Sequence, residues 1–110
     1  MYRYSTKPIN VFVMFNPAEV REMWLTFKQE ASDVEITRTK EDLAQALANV
    51  EQHEGGWFSF QVSFTQEESS SFSADEAVLV QIRWSESEGH SDMTDVYSFP
   101  VDDVLKEGVI

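Results

Sequence analysis

Short apolar runs alternate with polar turns along most of the chain. INVFVMF (9–15) is a β-branched and aromatic run, too short for a helix, and reads as a strand buried on both faces. It stops at NPAE, where Asn16 can cap a helix and Pro17 fits the first helical position, since its missing N–H costs nothing there. Val20, Trp24 and Phe27 then recur at helical spacing with Met23 beside them, which predicts a helix over 17–31. DVEIT (33–37) alternates weakly, as an edge strand or an extended linker. TKED (39–42) has the form of a capping box, and Leu43, Leu47 and Val50 predict a second helix to His53. EGG (54–56) ends it, because glycine tolerates the left-handed cap conformation, and His53 would favour the helix C-terminal dipole.

Three strands are predicted next. In WFSFQVSF (57–64), Phe58, Phe60, Val62 and Phe64 alternate with Ser59, Gln61 and Ser63. In AVLVQIRW (77–84), Val78, Val80, Ile82 and Trp84 share a face, and DVYSFP (95–100) is the third. TQEESSSFSADE (65–76) reads as a long polar hairpin loop, and VDDVLKEG (101–108) as a short closing helix. The order implies a single α+β domain over 1–110: an antiparallel β-meander of three to five strands with two α-helices packed on one face. Its core should hold Trp24, Phe27, Leu47, Phe58, Phe60, Val62, Val80 and Ile82.

Composition supports a packed core, with 42% hydrophobic and 13% aromatic residues in 110. With no cysteine there is no disulfide, thiolate chemistry or cysteine zinc site. No apolar run approaches membrane-spanning length, and MYRYSTKP lacks the apolar stretch of a secretory signal, which points to a cytoplasmic location. Charge changes the picture most. The net charge is −12, and it is unevenly placed: residues 1–40 carry six bases against five acids, residues 41–110 two bases against fifteen acids. Such a field repels nucleic acid and anionic membranes and attracts basic surfaces over a Debye length of about 8–10 Å.

Laid on a meander, the acids fall at two ends. One collects Glu67, Glu68, Asp75, Glu76, Asp102 and Asp103; the other collects Glu86, Glu88 and Asp92, joined by Glu51 and Glu54, and Asp95 closes the acidic stretch 84–95 and is counted with the partner-binding acids. Strands of about eight residues would hold the two ends on the order of 25 Å apart. No sequence signal for catalysis accompanies them. The spacing of Glu86, Glu88, His90 and Asp92 matches neither a calcium loop nor a helical histidine pair, so neither a metal nor another cofactor is expected. Two histidines without a serine nucleophile motif give no triad, and the scattered glycines form no phosphate loop.

These features predict a non-enzymatic, acidic interaction protein. Its carboxylates would stand in for phosphates and block a basic surface on a partner, a nucleic-acid-binding protein or a nuclease. In size, charge and absence of a catalytic motif the chain resembles phage anti-restriction and anti-CRISPR proteins and the immunity proteins of nuclease toxins; the setting would then be a host cytoplasm. The rival expectations are an assembly or structural accessory protein that binds through an apolar face, and a divalent-metal-dependent enzyme using the 86–95 loop.

Overall fold

The computed structural model describes residues 1–87 and 89–110. The architecture is dominated by antiparallel strands, with two short helices. The stretch 22–29 shows why. Met23, Leu25, Phe27 and Gln29 are buried while Glu22, Trp24 and Lys28 are exposed, so the period is two and the segment is strand β2 (Glu22–Gln29) rather than the expected helix. Three of its side chains are aromatic or β-branched, which suits a pleated surface and resolves the ambiguity of a short apolar run towards strand. Asn16 still performs a capping act: its Oδ1 accepts the Ala18 N–H at 3.1 Å, but it closes a turn that does not propagate.

Strand β3 (Val34–Thr39) returns antiparallel beside β2 through a turn in which Asp33 takes a left-handed φ of 53°, a conformation aspartate tolerates. The Thr39–Asp42 capping box is present, with Asp42 Oδ2 accepting the Thr39 N–H at 2.9 Å and Thr39 Oγ1 accepting the Asp42 N–H at 3.2 Å. The helix beyond it is only α1 (Ala44–Leu47). Asn49 folds back, its Nδ2 donating to the Gln45 carbonyl, and the chain enters strand β4 (Glu51–Gln52). The second expected helix is therefore cut short by a strand that pairs with β5 (Phe58–Val62). Gly55 and Gly56, both at positive φ, make the reversal between β4 and β5.

The meander expectation also changes. Strand β1 (Ile9–Val13) pairs with β5, giving a three-stranded sheet ordered β1–β5–β4. Strand β6 (Val78–Ser87) belongs to a second sheet, in which it pairs with β2 on one side and with β7 (His90–Met93) and β8 (Tyr97–Phe99) along the other. The segment between β5 and β6 is thus a crossing between sheets, not a hairpin loop. It contains helix α2 (Gln66–Ser70), opened by a reciprocal capping box between Thr65 and Glu68, and Phe72 is buried just after it. The segment 101–108 is not helical; it holds only an isolated bridge, Tyr2 to Asp102.

Between β7 and β8 the edge is interrupted at Thr94. The Thr94 N–H donates to the Ile82 carbonyl at 2.9 Å, while Thr94 Oγ1 accepts the Ile82 N–H at 3.1 Å in place of a backbone carbonyl. One core joins the sheets, with Val13, Phe60 and Val62 from the smaller meeting Met23, Leu25, Phe27, Val78 and Ile82 from the larger. Phe27 is fully buried and lies edge-on to Phe64 with ring centroids 4.8 Å apart. Burying side chains of this size stabilises by about 1.5–3 kcal/mol each. Six of the eight expected core residues are buried and Phe58 is half-buried; Trp24 is 48% exposed, the direct result of β2 being a strand with Trp24 on its outer face.

Candidate partner-binding surfaces

The acidic residues fall into groups set by the two-sheet topology. Around the crossing segment, Arg3 is the organiser. Its guanidinium donates to the carbonyls of Ser70 and Phe72, each at 3.0 Å, and pairs with Asp103 at 3.0 Å and Glu107 at 2.8 Å. This brings 70–72 and 103–107 together. The hydrogen bonds it donates to Glu107 and Asp103 hold the guanidinium pKa above its ordinary value. Asp103 is held below the usual carboxylate range, first by the Val104 N–H and then by Arg3. Asp102 is exposed beside it.

Glu68 serves the fold. Its carboxylate accepts the Thr65 N–H at 2.9 Å and both its oxygens meet Arg38 at 2.8 Å. Burial pushes this carboxyl up, but the Thr65 hydrogen bond and Arg38 outweigh it, leaving the pKa below the ordinary glutamate value. Glu76 accepts the Ala31 N–H at 2.9 Å, while Glu67 and Asp75 are exposed. The loop that carries Asp75 and Glu76 is fixed by Gln29, a fully buried side chain. Its Nε2 donates to the carbonyls of Ser73 (2.7 Å) and Glu76 (2.6 Å), and its Oε1 accepts from Ser73 N–H and Ser32 hydroxyl, both at 2.6 Å.

At the β6–β7 hairpin, Glu86 and Asp92 are exposed, with a register shift between Ser85 and Ser87 and Asp92 paired across from Trp84. Glu88 lies outside the described residues. Asp95 is exposed in the interruption before β8. Glu51, on β4 of the smaller sheet, lines a polar groove of about 670 Å³ between α1 and β5 with Arg38, Asp42, Asn49 and Gln61. In that groove, the backbone N–H of Thr39 holds the Asp42 carboxyl below its ordinary value. Glu54 is exposed in the turn before β5. His53 is not at a helix C-terminus; it precedes the 3-10 turn Glu54–Gly56, with its Nε2 2.6 Å from the Ser59 hydroxyl and its ring 5.6 Å from that of Phe12.

Four of the eight bases are committed elsewhere. Arg3 and Arg38 form the three ion pairs found among the described residues, which engage only Glu68, Asp103 and Glu107 of the nineteen described acids. Lys40 Nζ donates to the carbonyls of Ala18 and Val20, and Arg83 stacks over the Trp24 ring with its guanidinium carbon 5.5 Å from the centroid. Among the described residues no group of three or more His, Asp or Glu is arranged to hold a metal ion.

Two apolar surfaces were not foreseen. The outer face of the larger sheet presents Trp24, Leu79, Met93 and Val96 around Arg83 and Lys28. The alternation of 22–29 carried that signal, masked by the helical spacing of the same residues. The second is a cleft between β1 and β8, whose mouth shows Phe12, Trp57 and Tyr97; a two-sheet reading of 9–15 would have left an edge there. No helix among the described residues is long and apolar enough to cross a membrane. Comparison of the chain with protein-family models, with curated proteins and with solved structures finds no match.

Proposed function

We propose that this chain is a non-enzymatic inhibitor that occupies a basic, nucleic-acid-binding surface of a partner protein, with its carboxylates taking the place of phosphates. One observation carries the reading: only three of the nineteen described acids are ion-paired, and four of the eight bases are tied to carbonyls, to Trp24 or to those three. A field so little compensated costs the folded state self-repulsion, and a partner rich in Arg and Lys relieves it. The contacting set runs over Glu67, Asp75, Glu76 and Asp102 near the sheet crossing and over Glu86, Asp92 and Asp95 at the hairpin edge, with Glu51 and Glu54 beside β5; Glu88 joins the set from its place in the sequence alone. Glu68 and Asp103 contribute charge while held by arginines. The proposed setting is the cytoplasm, that of a host where the chain is phage-encoded.

The test is capture of partners from a lysate at low and high salt, followed by association kinetics on the purified pair. The on-rate should fall roughly tenfold or more as salt rises. Changing Glu86, Glu88 and Asp92 to their amides, and separately Glu67, Asp75 and Glu76, should slow association in both variants without lowering the melting temperature. Salt-indifferent binding sinks the idea. That result would favour the second reading, an assembly protein docking through the Trp24 face, which the exposure of Trp24, Leu79, Met93 and Val96 supports.

A further inference from the structure

The two sheets leave a seam open between them. Among the described residues β1 pairs only with β5 and β8 only with β6, and both border a cleft of about 270 Å³. Phe27, Val80 and Phe99 line it from the core, while Phe12, Trp57 and Tyr97 stand at its mouth, 50%, 38% and 49% exposed. Unpaired strand edges flanking an apolar slot are the arrangement that captures an extended chain, with backbone hydrogen bonds supplying affinity and alternate side chains filling the slot. Aromatic residues at such a mouth are the types that dominate binding energy.

We propose that this cleft takes an extended segment of the basic partner by strand addition, its apolar or aromatic side chains alternating with Lys or Arg. The size fits. The volume equals that of roughly nine liquid waters, enough for two or three apolar side chains and too little for a folded element. A strand of five residues, the length of β1, points three side chains to one face. The charge fits as well. No charged side chain lines the cleft, but the chain enters it from acids that have no ion pair among the described residues. Asp95 lies two positions before Tyr97, Glu54 three before Trp57, and Asp102 three after Phe99. A segment with bases on its outward positions would meet them at the rim. The sign of the partner's charge rests on the acidic reading above; the cleft itself does not.

Phage-displayed random dodecapeptides selected on the whole chain provide the test, with the consensus then made as a free peptide. The consensus should alternate apolar residues with Lys or Arg. Its affinity should fall at least tenfold in Phe12→Ser or Tyr97→Ser, and equally on N-methylation of alternate peptide nitrogens, while Trp24→Thr leaves it unchanged. Should Phe12→Ser fail to fold, Trp57→Ser serves in its place. Peptides patterned as a helix, indifference to N-methylation, or loss of binding in Trp24→Thr overturns the proposal. An alternating consensus without Lys or Arg overturns the basic segment as occupant, while the acidic reading stands or falls separately on the salt dependence of partner capture. Failure to enrich any alternating peptide, while a basic partner is still captured in a salt-dependent way, sinks the cleft alone.

Discussion

Replacing Gln29 by leucine removes four hydrogen bonds while keeping nearly the same volume. The amide is fully buried and both of its ends are used, two donations to the carbonyls of Ser73 and Glu76 and two acceptances from Ser73 N–H and Ser32 hydroxyl. Leucine leaves those partners facing an apolar group. An unsatisfied buried polar group costs about 1–3 kcal/mol, but the loop 73–76 is partly exposed and water can reach some of it, so a total near 3 kcal/mol is the expected loss. For a chain of this size that is roughly 10–20 °C in melting temperature. Urea unfolding monitored by tryptophan fluorescence gives the quantity directly. Gln29→Glu makes the reasoning sharper. A carboxylate keeps two acceptors but cannot donate to the two carbonyls, and it would be buried as a charge against them. It should therefore destabilise more than leucine at pH 7 and recover part of the loss as the pH falls and the carboxyl protonates. A leucine variant within 1 kcal/mol of the parent, or a glutamate variant indistinguishable from it, would refute the claim that this amide locks the loop carrying Asp75 and Glu76.

Two further outcomes follow from named contacts. Glu68→Gln keeps the cap acceptor but removes the charge facing Arg38; because the folded pKa of Glu68 is depressed, its stabilisation is present above the ordinary glutamate value and lost as pH falls through the folded value. The gap between parent and variant, about 1 kcal/mol at pH 7 for a pair this exposed, should close on acidification towards pH 3, and a gap constant with pH in urea titrations contradicts the pairing. Thr94→Val leaves the Ile82 N–H without its acceptor and should cost about 1–3 kcal/mol and raise amide exchange at Ile82, whereas Thr94→Ser should not; unchanged protection at Ile82 in the valine variant rules out the side-chain rung.

The strands with strict alternation were legible from sequence: Phe58, Phe60 and Val62 point inward as their spacing implies, and so do Val78, Val80 and Ile82. The segment 17–31 was not, because Val20, Trp24 and Phe27 satisfy a helical period while Met23, Leu25 and Phe27 satisfy a strand period. Only a neighbouring strand decides between them, and β6, which supplies Ile82 opposite Leu25, lies far along the chain. TQEE at 65–68 carried a capping box as clear as TKED at 39–42 and was obscured by the serine-rich run after it. Sheet membership was invisible for a related reason. Nothing local to 65–76 distinguishes a hairpin loop from a crossing; the distinction is made by Phe72 entering the core and by Arg3 gripping the carbonyls of Ser70 and Phe72. The charge asymmetry was legible in full, but which acids are held by arginine depends on long-range contacts such as Arg3 with Asp103.

The pairing of β1 with β5 and of β2 with β6 also sets the order in which the molecule can assemble. Val11 must find Phe60 and Leu25 must find Ile82, partners about fifty residues or more apart, so each sheet is completed only after a long chain segment has closed. Topologies dominated by such distant pairings fold in roughly milliseconds to seconds rather than microseconds. The β2–β3 hairpin, whose partners are local, can form early, but it then displays Met23, Leu25 and Phe27 with nothing to cover them until the β1–β5 sheet packs against that face. Through that interval the surplus of carboxylates in residues 41–110 acts as a solubility tag built into the chain, keeping half-folded copies apart by mutual repulsion.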